Sequence, residues 1–148
     1  ATGILGSLAG IQALALHRIP PFFSNAYFLA LTQVEIALFV ATVAWAVSCR
    51  RQTQWHRRLM LGATVLLMEP ALGRLLPMPL LGGMGEWLAL ALQLVPLAIL
   101  ARHDRATLAA IHPATLSSVA IVIGSHVLVT ALSLLPAFVA LANRIAGA

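Results

Sequence analysis

The sequence predicts an all-α fold, a polytopic bundle of transmembrane helices, and three observations carry that prediction. Of its 148 residues 61% are hydrophobic and 9% charged, with a mean hydropathy of +0.96. A soluble domain is about 45–50% apolar and about a quarter charged, so this chain has too little polar surface to face water on all sides. The apolar residues fall into five runs near the length needed to cross a hydrocarbon core of about 30 Å. Most of the arginines lie between those runs or at their ends. Together these features exclude a soluble enzyme, a disulfide-rich secreted module and a disordered tail.

The nine basic residues are all arginine and set a net charge of +5. In a soluble protein such an excess indicates nucleic acid. Here the arginines occupy short connections and form no basic face, so the partner implied is the lipid bilayer and not nucleic acid. Cys49 is the only cysteine and has no internal partner for a disulfide.

The first run covers about residues 2–16. Gly3 and Ser7, and Gly6 and Gly10, form two small-xxx-small pairs that let helix backbones approach. It starts at Ala1 with neither methionine nor charged leader, so further helices are expected upstream, and these or other membrane subunits are the expected protein partners. His17, Arg18, Pro20 and Pro21 break the run, and Phe22, Phe23 and Tyr27 supply interfacial aromatics. The second span covers about 26–49. The third, about 57–76, contains Pro70. Pro77, Pro79, Gly82, Gly83 and Gly85 make a turn before the fourth, about 86–101, which contains Pro96. The fifth opens with Pro113, a favourable first-turn position for proline, and reaches about residue 142 with a break near Pro136.

Loop arginines set the orientation. Arg50, Arg51, Arg57 and Arg58 lie in the loop between the second and third spans and at its edge, and Arg102 and Arg105 follow the fourth. Arg18, Arg74 and Arg144 fall on the other side. By the positive-inside rule the 50–58 and 102–112 loops face the cytoplasm and the C-terminus lies outside.

Ionisable side chains within spans are costly and are functional candidates by default. At 1.5 Å per residue, Glu35 lies about 14 Å into the second span, Glu69 about 18 Å into the third, and His126 about 20 Å past Pro113. All three therefore fall between the midplane and the outer leaflet, and Arg74, one turn further out, is in register to pair with either glutamate. Thr32, Glu35, Phe39 and Thr42 form one stripe, and Ser118, His126, Thr130 and Ser133 another. Such stripes turn inward in membrane bundles. Pro70 frees the carbonyl of Leu66 beside Glu69, as tolerated where neighbours or a cavity satisfy the backbone. The cluster reads either as a polar pocket for protons, a quinone headgroup or a small ligand, or as a structural Glu–Arg pair with hydrogen bonds between helices.

Histidine is a usual axial haem ligand. His56, His103 and His112 lie at the same predicted edge, where two of them could hold a haem b. Equally, Trp55-His56-Arg57-Arg58 reads as an interfacial belt and His112-Pro113 as a helix entry. No His-x-x-x-His or Cys-x-x-Cys pair at zinc spacing, nucleophile elbow or phosphate loop occurs, and no metal site or catalytic residue is predicted.

The run His56-Arg57-Arg58-Leu59-Met60-Leu61-Gly62-Ala63-Thr64, followed by Pro70-Ala71-Leu72-Gly73-Arg74 and by His112-Pro113-Ala114-Thr115-Leu116, resembles an uncharacterised family of bacterial multi-span inner-membrane proteins over about residues 22–142. Members of that family carry further helices with histidines ahead of this region. The His-Arg-x-x-Met element is also similar to one in membrane proteins of haem and cytochrome oxidase maturation, which would imply a ligand or maturation role for His56 and Met60. The leading expectation is a non-catalytic accessory or assembly component of a larger membrane complex. The alternatives are a redox-linked protein holding haem b or quinone near His56 and His112, or near Glu35 and His126, and a small transporter or proton path through Glu35, Glu69 and Arg74.

Overall fold

The computed structural model describes residues 2–16, 23–82 and 84–147. His17, Arg18, Pro20, Pro21, Phe22 and Gly83 lie outside them. Among the described residues there are helices and no strands: α1 (Thr2–Ala15), α2 (Asn25–Ser48), α3 (Thr53–Leu66), α4 (Glu69–Leu75), α5 (Met78–Leu81), α6 (Met84–Leu108), α7 (Pro113–Leu134) and α8 (Pro136–Ala146).

Three of these, α2, α6 and α7, are long and apolar enough to cross a membrane. The expected five spans are therefore not all present as single membrane-length helices. The expected third span divides into α3 and α4. Pro70 has no N–H for the carbonyl of Leu66, and the chain closes the helix tightly instead, with Leu67 N–H donating to Thr64 at 3.2 Å and Met68 N–H to Val65 at 3.0 Å. At 14 residues, α3 is only about 21 Å long. The expected fifth span ends at Leu134, and Pro136 begins α8. The fourth runs seven residues beyond its expected end, because Arg102–Leu108 contains no helix breaker. It stops where Ala109 takes a φ of 59°, the left-handed conformation common just past a helix end. Most of the expected 102–112 loop is thus helix. The first run forms a helix of 14 residues.

The burial pattern is the inverse of a soluble bundle. Glu35, Thr42, Gln93, Asp104, Thr115, Ser118, Ser125 and His126 are all buried, whereas Ile99 is 66% exposed and Val127 59%. Only 28% of the apolar windows of α2 and α6, and 33% of that of α7, is buried. Outward apolar faces of this extent suit hydrocarbon, and inward polar groups follow because lipid offers them no hydrogen bonds.

The chain forms two compact units. The first comprises residues up to Ala37 and from Ser125 onward. Here α1 lies against α2, with Ser7 Oγ donating to Gln33 Oε1. A Cβ on Gly10 would stand 3.0 Å from Thr32 Oγ1 and one on Gly6 3.0 Å from Ile36 Cδ1, so Gly6 and Gly10 serve close packing. Leu14, Ala26, Leu29, Ala142 and Ala146 form one core cluster, and Asn25 Nδ2 donates to Asn143 Oδ1 at 3.1 Å. The second unit, Leu38–Gly124, packs α3, α4 and α5 against α6. Its apolar centre is Val65, Leu66, Leu97 and Val122, with Ala46, Leu59 and Ala114 nearer its arginine-rich end.

Candidate functional site

A polar network of the second unit centres on Asp104, near the end of α6. Its side chain is wholly buried. Arg58, on α3 and 7% exposed, donates from Nη2 to Oδ1 at 2.5 Å, and from Nε to Oδ1 at 3.1 Å and Oδ2 at 3.3 Å. Thr115, also wholly buried, donates its hydroxyl to Oδ2 at 2.5 Å, and the backbone N–H of His112 donates to the same oxygen at 3.2 Å. The remaining nitrogen of Arg58, Nη1, donates to the carbonyl of Gln54 at 3.1 Å and to Gln54 Oε1. One carboxylate thus joins α3, α6 and the start of α7. A forked guanidinium suits this because it presents several donors in one plane to both carboxylate oxygens.

The network is closed by packing. Ser118, one turn beyond Thr115, donates to the carbonyl of Ala114 at 2.9 Å and of Arg58 at 3.3 Å. Opposite it on α3 stands Gly62, where a Cβ would lie 2.4 Å from Ser118 Oγ and 2.7 Å from its Cβ. The two helices meet there because position 62 has no side chain.

His56 and His112 lie at this same end and act on helix termini. His56 Nδ1 is 2.8 Å from the carbonyl of Ala46. A carbonyl only accepts, so Nδ1 carries the proton and satisfies one of the orphan acceptors in the last turn of α2. His112 has the opposite tautomer: its Nδ1 accepts the N–H of Ala114 at 3.1 Å, capping the first turn of α7 as an N-cap side chain does. Trp55 lies edge-on to His112 with ring centroids 5.5 Å apart, and 5.8 Å from Trp45. These contacts gather the end of α2 and the starts of α3 and α7 at one end of the unit. The Arg58–Asp104 pair adds the end of α6. Arg50, Arg51, Arg57, Arg58, Arg102 and Arg105 therefore share that end, with tryptophans at its level.

The other sequence candidates fall in both units. Glu69, buried at the first residue of α4, accepts from Gln93 Nε2 on α6 at 3.4 Å. Arg74 is exposed and donates to the carbonyl of Pro70 on its own helix at 2.9 Å. Glu35 and His126 are buried in the first unit. His103 is exposed and borders an open cavity with Gln54, Arg57, Arg58, Leu61 and Leu100.

Sequence reasoning assigns Arg58 only a topological role and passes over Asp104. The available signal is Asp104 itself, the one acidic residue among the arginines at that end. An isolated acid where the charge is otherwise positive invites an ionic partner. Each of the two motifs read from the sequence supplies several of these contacts: His56, Arg58 and Gly62 from the first, His112, Thr115 and the Ala114 backbone from the second. No family model matches the chain, and neither a curated protein nor a solved structure does.

Proposed function

We propose that this chain is a non-catalytic accessory or assembly component of a larger membrane complex in a bacterial inner membrane, its arginine-rich end toward the cytoplasm. We assign its two motifs to the multi-span family they resemble. The observation that supports this reading is the closure of the Asp104 network. Both carboxylate oxygens are engaged by Arg58, Thr115 and the His112 backbone. A catalytic carboxylate has to present an oxygen to a substrate, whereas this one is spent joining helices. The outward apolar faces of α2, α6 and α7 then provide the surface on which lipid or other membrane helices pack.

The test is extraction of the full chain from its native membrane in mild detergent, after mild crosslinking. A membrane protein partner recovered in fixed stoichiometry is expected. Recovery of this chain alone, in one monodisperse species, would overturn the reading.

A redox-linked role finds support at one residue. Donation by His56 Nδ1 to a backbone carbonyl is the arrangement that orients ligand histidines, and it leaves the Nε2 lone pair available. At His112 the bond from Ala114 leaves the proton on Nε2, so ligation there would sacrifice the cap of α7. A haem b at this end would therefore depend on His56 and a second ligand from elsewhere. A Soret band from the purified full-length protein that is lost in His56→Ala would favour this role, and its absence would end it.

A further inference from the structure

The arginine-rich end of the second unit contains an open cavity of about 320 Å³ lined by Gln54, Arg57, Arg58, Leu61, Leu100 and His103. Its lining is ordered along the helices. Leu61 lies one turn beyond Arg57 on α3, and Leu100 about one turn before His103 on α6, so each helix passes from an apolar side chain to a basic or imidazole one. The apolar side leads toward the body of the apolar helix α6, and Leu61, 37% exposed, continues into the outward apolar surface.

The charges on this lining are unequal. Arg58 is committed to Asp104, which neutralises it, and Gln54 Oε1 is occupied by Arg58. Arg57 is exposed, and among the described residues its charge has no counter-ion within salt-bridge distance. Exposed His103 faces the same space and adds a ring N–H able to donate, with exposed Arg102 and Arg105 flanking it on α6. The cavity thus combines an uncompensated guanidinium with an apolar exit, at the level marked by Trp45 and Trp55.

We propose that this cavity is a binding site for the phosphate of an anionic phospholipid, with Arg57 and His103 contacting the headgroup and the acyl chains leaving past Leu61 and Leu100. Free phosphate shares the headgroup chemistry but makes no use of the apolar exit. A zwitterionic lipid brings a cation beside Arg57, so the site discriminates by net headgroup charge. The inference rests on the chain lying in a bilayer and is independent of whether it has protein partners.

Native mass spectrometry of the full chain, released from detergent containing equal amounts of phosphatidylglycerol and phosphatidylcholine, tests it. The expected result is one retained phosphatidylglycerol in preference to phosphatidylcholine, undisplaced by millimolar inorganic phosphate. A basic residue near an anionic headgroup contributes about fivefold in affinity, so Arg57→Gln and His103→Gln should each reduce the preference, the former by about that factor. Arg51→Gln, outside the cavity, should leave it intact. Both test residues are exposed, so their variants fold as the parent does, which circular dichroism checks. Equal retention of the two lipids, a preference unchanged in Arg57→Gln, an equal loss in Arg51→Gln, or displacement by inorganic phosphate would each overturn the proposal.

Discussion

Arg58 and Asp104, separated by 46 positions in the chain, form a buried ion pair in which two guanidinium nitrogens reach one carboxylate. Such pairs add little net stability, because desolvation offsets much of the attraction. Their influence is on specificity. With Asp104 also holding Thr115 and the His112 backbone, shifting α3 by one residue along α6 would strand a buried charge.

Removing one partner should therefore cost far more than removing both. Asp104→Ala is expected to destabilise the fold by about 3–5 kcal/mol, measured by unfolding in detergent. The double variant Arg58→Met, Asp104→Leu should recover most of that loss. A double variant no more stable than Asp104→Ala would show that the pair is not the source of the effect.

Gly62 is predicted to be intolerant of even one methyl group. Alanine there would place its Cβ 2.7 Å from Ser118 Cβ, and overpacking of this kind costs about 1–3 kcal/mol. Gly62→Ala with Ser118→Gly should restore stability. Gly124, where an added Cβ meets nothing within 4 Å, serves as the control, and Gly124→Ala should leave the midpoint unchanged or raise it.

His112 should be replaceable by another N-cap acceptor. His112→Ala is expected to lose about 1 kcal/mol, and His112→Asn to retain most of it. Equal losses in the two variants, measured by thermal unfolding, would argue that stacking on Trp55 matters more than the cap.

Orientation can be read from single cysteines in a Cys49→Ser background. Arg51→Cys and Arg105→Cys should both react with a membrane-impermeant maleimide from the cytoplasmic side alone. Reaction of both from the outside would reverse the proposed orientation. Reaction from opposite sides would contradict the shared end seen in the fold.

Composition alone determined the class of this protein. With 61% hydrophobic residues and nine arginines gathered mainly between apolar runs, the choice of solvent is a one-dimensional property that each residue contributes independently of the fold. Proline chemistry is nearly as local, so the break at Pro136 is legible from the residues alone. At Pro70 the proline is visible, but whether α3 and α4 continue as one span depends on how the turn at Leu67 and Met68 closes. Which polar groups meet is a different kind of fact. Counting residues along each span places Glu35, Glu69 and His126 at similar depth with Arg74 one turn further out, yet depth says nothing of rotation about the helix axis, and Arg74 turns to its own helix surface. The pairing of Arg58 with Asp104 needs the approach of α3 and α7 at Gly62 and Ser118 and the return of the chain at Ala109, both products of long-range packing. Only the tertiary structure could decide that the one acid among six arginines joins helices, leaving Arg57 to face outward with its charge uncompensated.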